Sequence, residues 1–129
     1  TIWDYISERH EEYSFEAKKQ FNAYIVLKIE QNKTKVFKMD AELAKETIDT
    51  SVFEFDVNKE NPFKKVFESG YSESFSISQL GFQFKDYKYA CITALKRGDG
   101  VVGFLLGLKQ SNLSEADQSL LEDLSKESA

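Results

Sequence analysis

From Thr1 to Asn22 the apolar positions Ile2, Ile6, Tyr13, Ala17 and Phe21 recur at intervals of four or seven, with charged residues between them. That period is one face of an α-helix and predicts an N-terminal helix over residues 1–22, broken near Ser14. Ala23 to Ile29 is almost continuously apolar, and Lys33 to Met39 alternates Lys35, Phe37 and Met39 against Thr34, Val36 and Lys38. With Gln31-Asn32 between them, the two runs predict a β-hairpin. Residues 41–47 predict a short helix, and Val52, Phe53 and Phe55 a short third strand ending at Asp56.

Asn61-Pro62 marks the next helix start, because Asn caps free amides and Pro needs no intrahelical donor at that position. Phe63, Val66 and Phe67 share its face, and Gly70 closes it in the left-handed conformation that glycine adopts most easily. Ser72 to Ser78 predicts a short strand with Phe75 and Ile77 on opposite faces. Gln79 to Tyr89 predicts a loop with four aromatics. Ala90 to Lys96 and Val101 to Lys109 are the clearest strands, joined by the turn Arg97-Gly98-Asp99-Gly100. Gly103 and Gly107 fall on one face of the second, which flattens it for a close-packed helix. Ser114 and Asp117 form a capping-box pattern with Asp in place of Glu or Gln, ahead of the apolar stripe Ala116, Leu120, Leu121 and Leu124. The order predicts an α+β fold with a mostly antiparallel sheet, one domain over 1–129: helix to 22, sheet core 23–112, closing helix 113–129.

Composition narrows the function. The 129 residues, 41% hydrophobic and 30% charged, suit one folded core. The longest apolar run, Val101 to Leu108, is about half the roughly 20 residues of a membrane helix, so no membrane insertion is expected. The start carries no leader pattern and no Met, which suggests a piece of a longer protein. A net charge of −5 argues against a nucleic-acid partner. Lys18, Lys19, Lys28, Lys33, Lys35 and Lys38 do face only Glu30 between residues 18 and 38, a pattern read as a solvated edge. The single Cys91 makes no internal disulfide and fits a reducing cytoplasm. His10 and Cys91 are too few for a transition-metal site, and His10 lies in the charged run Glu8 to Glu12, where no pocket forms readily. Neither a phosphate-binding glycine loop nor an EF-hand spacing is present. No catalytic residues are assigned.

Three local motifs, in order, resemble the GAF domain, the sensor module of cyclic-nucleotide phosphodiesterases, cyclases, histidine kinases and transcription activators. The first is Val66-Phe67-Glu68-Ser69-Gly70 followed by Phe75-Ser76-Ile77. The second is Cys91-Ile92-Thr93-Ala94-Leu95 with Gly98-Asp99-Gly100 and Val101-Val102-Gly103-Phe104-Leu105. The third is Leu113-Ser114-Glu115-Ala116-Asp117 running to Leu120-Leu121. They cover about half the chain. Gln79 stands where family members often place Asp, the Asn-Lys-Phe-Asp-Glu signature of cyclic-nucleotide-binding members is absent, and no Cys-His pair is present for a bilin. The free methionine sulfoxide reductase branch uses several cysteines, against one here.

The resemblance implies terminal helices on one sheet face, and a ligand on the other beneath short helices and loops, mapping to residues 52–93. A regulatory small-molecule sensor controlling an attached output domain, such as a cyclase, phosphodiesterase or kinase, is the expected function. Phe53, Phe55, Phe63, Phe75, Phe82, Phe84 and Tyr89, with Ile77, would line the pocket, and aromatic faces stack on a planar purine. Ser76, Ser78 and Thr93 would meet base or ribose edges, and helix amides near Asn61 a phosphate. Cyclic AMP or cyclic GMP is the expected regulatory ligand. The alternative is a ligand-free dimerisation module, a homodimer joined through Ile2, Ile6, Leu120 and Leu124.

Overall fold

A computed structural model describes all of residues 1–129. Its centre is a five-stranded antiparallel sheet in the order β2-β1-β5-β4-β3. The strands are β1 (Ala23–Glu30), β2 (Lys33–Met39), β3 (Ser72–Ser76), β4 (Tyr89–Arg97) and β5 (Gly100–Lys109). Gln31 and Asn32 both take positive φ, 52° and 65°, which gives the β1–β2 hairpin the turn twist its strands require.

The helices are α1 (Ile2–Glu8), α2 (His10–Ala17), α3 (Ala41–Ala44), α4 (Pro62–Ser69) and α5 (Glu115–Glu127). The expected N-terminal break comes at Arg9 rather than Ser14. Arg9 closes α1, its amide donating to the Tyr5 carbonyl, and opens α2. Both capping predictions for the later helices hold. Asn61 Oδ1 accepts from the amides of Phe63 and Lys64 at 2.8 and 3.1 Å. Ser114 and Asp117 cap each other at 3.2 and 2.9 Å.

Residues 52–56 do not form the expected third strand. Asp49 caps the amide of Ser51, and Thr50–Phe53 winds into one turn of 3-10 helix. Thr34 then ties the segment to β2, its hydroxyl donating to the Phe53 carbonyl at 2.6 Å and accepting from the Phe55 amide at 2.8 Å. Nor do Phe75 and Ile77 face opposite ways. Residues two apart on a strand share a face, and Ile77, which opens a second 3-10 turn (Ile77–Leu80) where β3 stops at Ser76, stays in the same apolar layer as Phe75.

Two layers cover the sheet. On one side α1, α2 and α5 enclose Ile6, Tyr13, Ala17, Tyr24, Val26, Leu105, Leu121 and Leu124. Gly103 and Gly107 allow this approach: a Cβ on Gly107 would lie 2.5 Å from the Phe21 ring, and one on Gly103 would meet Trp3 and the Leu27 carbonyl. On the other side α3, α4 and the connecting turns enclose Ile25, Leu27, Ala90, Ile92, Phe104 and Leu106.

Candidate ligand site

The expected pocket face is built of aromatic rings. Phe53, Phe63, Phe75, Ile77 and Phe84 are buried in the larger apolar cluster, and Phe55 and Phe82 pack on it half-buried. Phe55 stacks on Phe63 at 4.9 Å between ring centres and on Phe82 at 6.0 Å, while Phe53 meets Phe84 edge-on at 5.0 Å. The side chains themselves fill the volume under α4. A ligand there has to displace rings or enter beside them.

What opens to solvent is a cleft of about 430 Å³ between the 54–61 segment and the turn Gln79-Leu80-Gly81, with Lys33 on its wall. Phe55 and Asn61 line it. Its charged groups are Lys33 and Lys59 against Glu54, Asp56 and Glu60. Asn61 also donates to the carbonyls of Asp56 and Lys59, at 2.9 and 2.8 Å. Its side chain therefore uses the helix-start amides that a phosphate would need, and locks the loop before α4.

Three expected ligand contacts lie on the other side of the sheet. Successive strand residues alternate faces, and Ala90 and Ile92 belong to the aromatic layer, so Tyr89, Cys91 and Thr93 point to the helices. The Thr93 hydroxyl lies 3.0 Å from that of Ser72. Ser76 pairs with Tyr89 in register and shares that face. Ser78 is exposed on the 3-10 turn. The hydroxyls of Ser76 and Thr93 are thus separated from the aromatic layer by the sheet.

Cys91 is buried under α5, where burial pushes its thiol up to about 11. His10 places Nε2 2.8 Å from the Met39 carbonyl, a hydrogen bond that pins α2 to the end of β2. In the proposed dimer stripe, Ile6 and Leu124 are buried within this chain, and Ile2 and Leu120 are half-buried.

The sequence reading missed a second hollow of about 1000 Å³ along the outer edge of β2, between α2 and the chain from Asp40 to Thr50. Asp40 organises its inner end. It is 1% exposed and accepts from the amides of Tyr24 at 2.9 Å and Leu43 at 3.1 Å and from Lys18 at 3.2 Å. Asp40 is three residues before Leu43, a capping signal present in the sequence; its bond to Lys18 is long-range and was not. An ion pair between Lys85 and Glu46 straps the 81–88 loop to the far end of the same segment.

No family model matches the sequence, and no curated protein matches it. Solved structures do. The type II free methionine-R-sulfoxide reductase of Thermoplasma acidophilum superposes with a TM-score of 0.75 at 10% identity, covering 100% of this chain and 92% of that one. The GAF domain of a two-component sensor histidine kinase from Bacillus halodurans gives 0.68 at 13%, covering 93% and 88%. A GAF domain/HD domain protein from Geobacter sulfurreducens gives 0.69 at 10%, covering 95% and 88%. The chain has a GAF-like fold, with terminal helices on one face of the sheet.

Proposed function

We propose that this GAF-fold chain is a regulatory small-molecule-binding domain whose ligand inserts a planar group beside Phe55, through the cleft at Asn61 and Gln79. The carrying observation is the aromatic stack in which half-buried Phe55 lies between buried Phe63 and half-buried Phe82 and itself lines this cleft. A flat heterocycle gains the same ring contacts by taking the place of Phe82. Cyclic AMP and cyclic GMP are the first ligands to test. Lys33 and Lys59 would have to meet the phosphate, because Asn61 already occupies the helix amides. Ligand entry would move the 77–89 loop, and the terminal helices across the sheet would pass the change to an attached output domain.

Titration calorimetry with both nucleotides, and mass spectrometry of small molecules released from the denatured protein, tests this reading. Saturable binding weakened by Phe55→Ala or Lys59→Ala, and untouched by Thr93→Val, is the expected outcome. Absence of binding and of any released molecule sinks it. The second reading, a ligand-free homodimerisation module, is favoured by the closed packing of the aromatic layer.

Catalysis is not part of the proposal. Its one thiol, Cys91, lies across the sheet from the cleft with its pKa raised to about 11, far from the thiolate form that thiol chemistry needs. Turnover of free methionine-R-sulfoxide with a thiol reductant, lost in Cys91→Ala, would overturn that.

A further inference from the structure

We propose that a second copy of this chain pairs edge to edge along β3, antiparallel, with a two-fold axis at Ser74. β2 and β3 are the outer strands of the sheet, and they differ. β2 is bulged at Phe37, bridged at Lys33 to Asp56, and bonded on its outer side to the Phe55 carbonyl and to His10. It also carries Lys33, Lys35 and Lys38, and lysines and bulges discourage a further strand. β3 has no lysine, proline or bulge, and its register with β4 is regular from Ser72 to Ser76. The Ala94 amide donates to the Tyr71 carbonyl and the Ile77 amide to the Lys88 carbonyl, which sets the phase of that ladder. Odd-numbered residues therefore bond to β4, while Ser72, Ser74 and Ser76 turn their amides and carbonyls outward, where no loop backbone meets them. Ser74, at the centre, is exposed.

The edge is complementary to itself. Centred on Ser74, the pairing sets Ser74 opposite the partner's Ser74 and Ser72 opposite the partner's Ser76, so every outward amide and carbonyl of β3 meets a partner. Glu73, the one charged residue of the strand, then faces the partner's Phe75. Centring on Glu73 instead would set carboxylate against carboxylate and leave Ser76 beyond the paired segment. Tyr71, 73% exposed, falls opposite the partner's Ile77 and is covered by the turn that begins there. A foreign strand would take the same backbone bonds, but only the two-fold copy brings a turn against Tyr71. Two chains of net charge −5 repel at long range, so salt tightens the pair. The pairing gives the homodimer of the second reading a surface other than the terminal helices, where Ile6 and Leu124 are already buried, and it leaves the ligand reading untouched.

Sedimentation of the intact chain from micromolar to millimolar concentration, at low and high salt, combined with amide exchange by NMR, tests this. A reversible monomer–dimer equilibrium is expected, tighter at high salt. Exchange at the Ser72, Ser74 and Ser76 amides should slow as concentration rises, while Glu73 and Phe75 are protected throughout. Ser74→Lys puts two ammonium groups on the axis and should weaken the dimer by about fivefold or more, with the melting temperature of the monomer unchanged. Tyr71→Ala should weaken it less, and Leu120→Glu, on the terminal-helix stripe, should leave it intact. A dimer that survives Ser74→Lys but is lost in Leu120→Glu overturns the edge pairing and keeps the homodimer reading. A monomer at every concentration overturns both. Serine amides that exchange freely in the dimer, or a dimer weakened by salt, also overturn the edge pairing.

Discussion

The two layers on either side of the sheet are held by different means. Under the helices, shape and polar pairing dominate: the Phe21 ring covers Gly107, the edge of the Trp3 ring approaches Gly103, Lys109 pairs with buried Asp117 at 2.9 Å, and Ser128 donates to Tyr13 at 3.1 Å. Under α4 and the turns, ring packs on ring, with Phe63 meeting Phe55, Phe75 and Phe104. A layer specified by close approach and paired charges tolerates little change. A layer specified by apolar volume exchanges one flat group for another, and so is the one suited to admit a ligand.

Phe63→Ala strikes the centre of the aromatic layer and should cost about 3–5 kcal/mol in urea denaturation. A loss under ~1 kcal/mol would mean that the surrounding rings collapse into the space and the layer is fluid. Gly107→Ala tests the helix layer by adding one carbon against Phe21, with an expected cost of about 1–3 kcal/mol. If Gly107→Ala were neutral, the claimed difference in tolerance would disappear.

Asp117→Ala should cost about 1–2 kcal/mol through loss of the α5 cap. Burial alone raises the Asp117 carboxyl, but the Lys109 ammonium and the amide and hydroxyl of Ser114 outweigh it and hold the pKa below its ordinary 3.8. The stability this adds is complete above the unfolded value near 3.8 and is lost as pH falls through the lower folded value. Urea midpoints measured below pH 4 should therefore drop more steeply in the parent than in Asp117→Asn. The smallest effect has the opposite sign. Tyr24 is fully buried with its hydroxyl unpartnered, so Tyr24→Phe should stabilise by about 1 kcal/mol, read as a higher melting temperature.

Much of the fold was legible because its signals are local. The capping oxygens of Asn61 and Ser114 reach amides two or three residues away, and the Gln31-Asn32 and Gly98 turns depend on the φ preferences of those residues. The periodicity of Ile2 to Phe21 and of residues 90–109 likewise follows from how a helix or strand presents its side chains, so the elements and the α+β layering follow from the sequence alone. Val52 to Phe55 misled, since alternating apolar residues suit a strand, yet the Asp49 cap and two bonds to Thr34 favour a turn.

The candidate site was only half legible. Aromatic density marks the layer opposite the terminal helices, but nearness in sequence groups Thr93, Ser76 and Tyr89 with it, and strand register puts them across the sheet. The helix start at Asn61 offers amides to a ligand by its sequence pattern, whereas the Asn61 side chain itself accepts from those of Phe63 and Lys64. The hollow beside β2 left no local trace, because it lies between residues 10–19 and 36–50, joined by Lys18 and Asp40. Composition and periodicity determine which residues are buried and in what kind of element. Which cavities are filled, which donors remain free and which face a hydroxyl reaches depend on contacts between distant segments, and only tertiary packing decides those.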